Sequence, residues 1–321
     1  MSVVVATHNR HRSLARTLLS LSSQTLLDFE VVVVDDGSDS PVGCDAGAGP
    51  ATVRVLRLPR VERSAARNAG AEAAHGRVVV FLDDDMIADR NLLAAHDSAH
   101  ERWPRALTVG AIELPTEFGD SPFGRFRRAL EADGVPITGG PVAEPNLATA
   151  ANMSMDRNLF LRLGGFDATL VSAEDQDLAM RHSAAGGSVV FVPDARAVHD
   201  DHVQSLRDYC YRHEWGAEHM APFVARYPDL PANRERVQVN GAARFGDPLP
   251  RLLRKAVKRI LGMSAGCSLV FGLADFAERA SPGSRWLPAV YRLALGIHLQ
   301  RGFRRGWALR SLSPSGRNQD A

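Results

Sequence analysis

The chain has 321 residues, 45% hydrophobic and 23% charged, an ordinary composition for a folded protein and long enough for one large α/β domain or one domain with an appendage. Lys and Arg total 38 against 37 Asp and Glu, a net charge of +1, so no basic excess points to nucleic acid and no nucleic-acid partner is expected. Cys44, Cys210 and Cys267 lie far apart with no Cys-x-x-Cys spacing, which argues against a zinc knuckle or a disulfide framework and fits a reducing, cytoplasmic setting.

No targeting leader is expected before Val3-Val4-Val5, and no uncharged apolar run reaches the roughly 20 residues of a spanning helix. Ser2 to Ala6 reads as a short buried strand, followed by the polar turn Thr7-His8-Asn9-Arg10. Leu14, Leu18 and Leu21 recur at helical spacing and predict an amphipathic helix ending near Ser23. Glu30 to Asp36 is a second strand, closed by acids and Gly37-Ser38; residues 40–50, rich in Gly, Ala and Pro, read as a loop. Val53 to Leu58 predicts a third strand and Ser64 to Ala74 a helix.

The run Val78-Val79-Val80-Phe81-Leu82 has the character of a strand buried on both faces, and it ends in Asp83-Asp84-Asp85. Three adjacent carboxylates repel one another and are normally compensated by something cationic. Asp-x-Asp at such a tip offers hard oxygen ligands for Mg²⁺ or Mn²⁺; it also reads as a solvated turn or the start of a helix. Asp89 to His100 predicts a helix and Leu107 to Leu114 a strand. This βαβ alternation argues a parallel, doubly wound sheet, in which ligands bind beyond the carboxyl ends of the strands. There is no Gly-x-Gly-x-x-Gly after the first strand and no Gly-x-x-x-x-Gly-Lys anywhere, which disfavours a dinucleotide dehydrogenase and a P-loop enzyme.

Residues 115–145 read as a long loop. Ala150 to Met155 predicts a strand, Asp156 to Leu163 a short helix, and Gly164-Gly165-Phe166-Asp167 a sharp turn. Glu174-Asp175-Gln176-Asp177-Leu178 opens a helix to about Ala185, where acids in the first turn also suit the macrodipole without further purpose. Val189 to Val192 and Ala195 to His199 read as two extended pieces.

The pieces Val4 to Arg10, Val34 to Ser38, Ala66-Arg67-Asn68-Ala69-Gly70, Phe81 to Asp85, Gly164 to Asp167, Glu174 to Leu178 and Val192 to His199 occur in an order that resembles the family-2 inverting glycosyltransferases of the GT-A fold. The resemblance implies a Rossmann-like, doubly wound mixed sheet with a C-terminal helical extension. It implies transfer, with inversion, from a nucleotide-diphosphate sugar to a carbohydrate or lipid-linked acceptor, as in cell-surface polysaccharide or glycolipid synthesis. Thr7 and Arg10 fall where the family wraps the nucleoside, and Asp36 where a carboxylate contacts base and ribose. Arg67 resembles the Arg facing base or diphosphate. Asp83 and Asp84 go with donor binding, and Asp85, with His199, with a Mg²⁺ or Mn²⁺ ion. Asp175 resembles the general base, supported by Glu174 and Gly165. Ala6-Thr7 departs from the proline common in relatives. A non-catalytic nucleotide-sugar-binding protein and a Mg²⁺-dependent phosphotransferase are the alternatives.

The expected organisation is a catalytic domain over 1–203, with a nucleotide-sugar half to about 114 and an acceptor half over about 115–203. A helical extension over 204–310 and a disordered tail over 311–321 follow. Asp208 to Arg226 predicts a helix. Beyond Pro248, Arg251, Arg254, Lys255, Lys258 and Arg259 alternate with apolar residues. This extension reads either as a peripheral membrane anchor on the inner face of the membrane or as a packed helical subdomain.

Overall fold

The computed structural model describes residues 1–43, 52–133, 135–136, 138–142, 147–200 and 205–312. Most of the expected loop over 40–50, Cys44, and nearly all of the expected tail over 311–321 lie outside the described residues. In chain order the elements are β1 (Ser2–Thr7), α1 (His11–Leu21), β2 (Glu30–Asp36), β3 (Thr52–Leu58), α2 (Arg63–Ala73), β4 (Val78–Leu82), β5 (Met86–Ala88), α3 (Leu92–Arg102) and β6 (Ala106–Glu113). A 3-10 turn (Thr116–Asp120) and α4 (Pro122–Ala132) follow, then β7 (Gly140–Pro141), β8 (Asn152–Asp156), α5 (Arg157–Arg162), α6 (Glu174–Ala184) and β9 (Ser188–His199). The remaining helices are α7 (Leu206–His219), α8 (Ala221–Arg226), α9 (Pro231–Asn240), α10 (Leu249–Leu261), α11 (Ser264–Ala280) and α12 (Leu287–Leu312).

The chain divides into two units. The first comprises Met1–Pro115, Gly134–Thr169 and Ala173–Asp201. Its strands form one sheet in the order β3-β2-β1-β4-β8-β6-β9-β5, with β7 beside β9. β3, β2, β1 and β4 run parallel, while β8 is antiparallel to both β4 and β6. The valines of β1, β2 and β4 are buried on both faces, as unbroken apolar runs demand. From β1 the chain moves outward through β2 and β3, then returns to lay β4 on the other side of β1. That reversal makes the β1/β4 junction a switch point, the kind of place beyond which open α/β sheets bind ligands. Gly70 sets the depth of α2 on the sheet: a Cβ there would come within 2.5 Å of Val4 and 2.9 Å of Val34. This close seat brings Arg67, one turn earlier, to the strand tips.

Two extended pieces expected near residues 189–199 are one long strand, β9, whose pairing with β6 shifts register between Gly110 and Ala111. A bulge absorbs the irregularity that Pro193 imposes without ending the strand. The segment after Met86 starts as a short strand before the helix expected from Asp89 begins at Leu92.

The second unit comprises Thr116–Asp133, Leu170–Ser172 and His202–Ala321. It groups Thr116–Asp133 with the C-terminal helices, whereas the sequence reading ended the catalytic domain at 203 and put this stretch in a loop. Here Ser121 caps α4 by accepting a hydrogen bond from Gly124 N at 2.9 Å, with Pro122 as the first helical residue. Phe123 and Phe126, three apart on α4, join Tyr209, Cys210, Cys267, Phe271 and Tyr291 in a core separate from the sheet. The helix expected over 208–226 is broken at Met220, because Pro222 starts α8 afresh.

Candidate active site

The site lies in the first unit, beyond the tips of β1, β2 and β4 and the start of α6. Asp84 and Asp85 are both buried. Asp84 turns inward: it accepts hydrogen bonds from Thr7 Oγ1 at 2.7 Å and Arg10 Nη1 at 2.9 Å. Burial, over the opposing Thr7 hydrogen bond and Arg10 charge, raises its pKa to about 6, and Asp85 and Asp83 add to the rise. Asp85 accepts from Arg10 Nη2 at 2.6 Å and lies 3.3 Å from His199 Nε2. Burial opposes its ionisation, but His199 and Arg10 hold its carboxyl well below the usual carboxylate range. The β5–β9 ladder, with Met86 opposite His199, sets that histidine beside the acid.

Asp83 faces another way. Its carboxylate takes Arg67 Nη2 at 2.5 Å, while Arg67 Nη1 donates to Glu174 Oε1 at 3.0 Å. Arg67 is buried on α2 and so ties the β4 tip to the first turn of α6. Arg63, one turn earlier, stands 3.6 Å from the same Glu174. Glu174 is thus held by two arginines of α2.

Asp175, next along α6, is half-buried and accepts hydrogen bonds from backbone: Gln176 N at 2.8 Å and Ala150 N at 3.2 Å. Burial, then the Glu174 charge, raises its pKa to about 7 against these hydrogen bonds and Arg67. Ala173, just before the helix, holds a left-handed φ of +65°, a strained conformation of the kind that collects at functional sites. Asp177 has a different environment. It is buried, receives Arg181 Nε at 2.8 Å, and Arg181 also donates to the carbonyls of Leu163 and Gly165. That network makes Asp177 a structural acid.

Gly165 adopts φ of +67°, and a Cβ there would meet Asn68 Oδ1 at 2.6 Å. Asn68 accepts from Phe166 N and donates to Phe166 O, both at 2.8 Å, so the turn and α2 lock together. Phe166 packs among Phe81 and Phe160, with Arg67 above its ring. Asp36, at the β2 tip, accepts from Val61 N at 2.7 Å and lies 3.7 Å from Arg60. Every residue expected in the site thus falls on the first unit's strand tips, on α2, or on the turn and first residues of α6. Asn68, Arg63, Phe166 and Arg181 were assigned no role. Asn68 stood inside a quoted motif, and Arg181 lies four residues after Asp177, a spacing that marks a helical ion pair.

Asp85 and His199 offer one carboxylate oxygen and one imidazole nitrogen side by side, a donor set that suits Mg²⁺ or, better, Mn²⁺. Among the described residues no group of three or more His, Cys, Asp or Glu side chains is placed to hold an ion unaided. An ion here would need oxygens from a ligand, which is how Mg²⁺ is commonly held beside phosphates.

Residues 2–122 match the family model described as Glycosyl transferase family 2. The chain is 31% identical over 241 residues to the pre-mycofactocin glycosyltransferase of Mycobacterium tuberculosis, covering 72% of this chain and 49% of the relative. It is 27% identical over 230 residues to the glucosyl-dolichyl phosphate glucuronosyltransferase of Haloferax volcanii, covering 67% of this chain and 72% of that one. A mannosyltransferase from Pyrobaculum calidifontis, solved with GDP-Man and Mn²⁺, superposes with a TM-score of 0.57 at 20% identity, over 94% of this chain and 86% of that chain. This last likeness establishes the mixed-sheet GT-A fold. The chain spans about half the length of the mycobacterial relative. With its acid-tipped strands inside the matched segment, the chain belongs to glycosyl transferase family 2.

Proposed function

We propose that the first unit transfers a sugar from a nucleoside-diphosphate donor to an acceptor hydroxyl, with inversion at the anomeric carbon and Asp175 as the general base. The observation that carries this reading is the contrast along α6: Asp175 has backbone hydrogen bonds and a raised pKa, while Glu174 and Asp177 are engaged by arginines. A carboxylate that titrates near neutrality is suited to taking a proton at working pH. The acceptor oxygen attacks the anomeric carbon and its proton passes to an Asp175 oxygen. The bond from the anomeric carbon to the diphosphate breaks, and its electron pair leaves with the diphosphate.

Thr7, Arg10 and Asp36 surround the place for the nucleoside, and Arg67, fixed between Asp83 and Glu174, keeps a positive charge beside the departing diphosphate. Asp85 and His199 would hold a Mg²⁺ or Mn²⁺ ion, which when bound neutralises charge on the leaving group. The donor and metal of the Pyrobaculum neighbour, and the transferase names of the relatives, support the same class of reaction. The acceptor we assign is a carbohydrate or lipid-linked hydroxyl, in synthesis of cell-surface glycans.

The test is Asp175→Asn, which keeps shape and removes the proton acceptor. Donor affinity by calorimetry should stay within about twofold, while transfer falls ~10²–10⁴-fold. In the parent, protonating the base inactivates it, so transfer should fall roughly tenfold per pH unit below about 7 and level off above. The residual rate of Asp175→Asn should lack that step. Near-normal transfer by the variant, or a product with retained configuration by NMR, overturns the assignment.

A further inference from the structure

In the second unit, α10 and α11 each keep one face on the helical core and leave the other bare. On α10, Leu249, Leu253, Val257 and Ile260 recur at helical spacing and form one outward stripe. Met263 stands at the bend between the two helices, which meet at 96°. On α11 the outward side carries Leu269, Leu273 and Phe276, opposite the buried Cys267, Val270 and Phe271. These eight large apolar residues are 46–69% exposed. Folded proteins rarely leave so continuous a stripe facing water without a partner.

Charge selects the partner. Residues 248–274 contain Arg251, Arg254, Lys255, Lys258 and Arg259 and no acid, and Asp275 and Glu278 stand only at the far end of the α11 stripe, about Phe276. Lys255 is used internally: buried, it donates to Ala242 O at 2.9 Å and Asp247 Oδ2 at 2.8 Å, closing a turn that leaves Phe245 wholly exposed. Arg251 also reaches Asp247. Arg254 and Arg259 are exposed and flank the α10 stripe on either side. An apolar stripe bordered by long cationic side chains sinks into the boundary of a lipid leaflet while the guanidinium groups reach the headgroups. A second copy docked about a two-fold axis would set these arginines against one another. No single helix among the described residues is long and apolar enough to cross a membrane, and α10 and α11 reach that length and composition only together, across their 96° bend.

We propose that α10 and α11 form an interfacial docking surface for an anionic lipid membrane. The inference rests on the second unit alone and stands whether or not the first unit transfers sugar. The experiment is sedimentation of the full chain with phosphatidylcholine vesicles, with and without 30% phosphatidylglycerol, at low and high salt. Binding should require the anionic lipid and weaken as salt rises. Leu253→Glu with Ile260→Glu should abolish it, and Arg254→Gln with Arg259→Gln should weaken it ~30-fold, at about 1 kcal/mol for each basic group near the surface. All four positions are exposed, so circular dichroism melting should match the parent; should the glutamate pair melt early, the glutamine pair decides. No binding to anionic vesicles, or binding that neither pair weakens, overturns the proposal. So does a dimer in light scattering that the glutamate pair splits while the parent ignores vesicles.

Discussion

The parallel strands β2 and β4 of the first unit both carry acids at their tips, and the two tips are built differently. At the β2 tip, Asp35 is fully buried and accepts from Ser38 N at 2.9 Å and Val42 N at 3.2 Å, with Arg57 at 3.0 Å. Burial pushes its carboxyl up, and the Ser38 and Val42 hydrogen bonds with Arg57 more than reverse this, leaving it below the ordinary range. At the β4 tip every carboxylate faces a cationic side chain: Asp83 meets Arg67, Asp84 meets Arg10, and Asp85 meets Arg10 and His199. Backbone donors belong to the fold and cannot be exchanged without unfolding a turn. A half-exposed guanidinium such as that of Arg10 can move aside for another cation. The two tips differ in how their charge is held: backbone donors together with Arg57 fix Asp35, whereas side chains hold Asp83, Asp84 and Asp85.

Three experiments would break or sharpen that contrast. The largest effect belongs to Asp85. Asp85→Asn, or chelation of the parent, should lower transfer by ~10²–10³-fold, the rate equivalent of several kcal/mol of charge stabilisation. Mg²⁺ or Mn²⁺ should rescue the chelated parent and not the variant. Stability should change by about 1 kcal/mol or less, because relief of repulsion from Asp84 offsets the lost pairing with a half-exposed Arg10. Full transfer by chelated protein would end the metal reading.

Arg67→Ala comes next. It leaves Asp83 and the buried Glu174 without their shared partner and should cost about 3–5 kcal/mol in urea unfolding, with Asp175 released as α6 loosens. A loss below about 1 kcal/mol would mean the bridge is a surface contact.

The smallest effect is Asp35→Asn, which sets an amide donor against Val42 N–H and Arg57. It should cost about 1–3 kcal/mol of stability and leave the anomeric chemistry intact, with kcat in the folded fraction unchanged. The parent's Asp35 has a depressed pKa, so its stabilisation is present above the unfolded carboxylate's pKa and lost as pH falls through the folded value. If Asp35→Asn lost activity without losing stability, the two tips would be alike.

Much of this was legible in the sequence. Unbroken valine runs can be buried only in the interior of a covered sheet, so β1, β2 and β4 declared themselves, and the acids at the ends of β2 and β4 pointed to the strand tips as the place to look. The register of Glu174-Asp175-Gln176-Asp177 on a helix start was legible too. The resemblance singled out Asp175 among these acids; that Glu174 is engaged was not legible, because Arg67 and Arg63 come from the distant α2, whereas Arg181 stands on the same helix as its partner Asp177. The helix α4 was passed over although Ser121-Pro122 is a capping signal, because Gly and Pro around it outweighed two phenylalanines three apart.

Local sequence determined the strands, most helices, the order of the motifs and the basic, apolar character of α10, since these follow from side-chain periodicity and backbone preference within a few residues. Tertiary structure alone decided that Asp84 turns inward to Thr7 and Arg10, that one buried arginine joins β4 to α6, that Thr116–Asp133 belongs with the C-terminal helices, and that the α10 stripe faces outward. Each of these is a pairing between groups far apart in the chain, and the energy of such a pairing depends on burial and distance that no local pattern encodes.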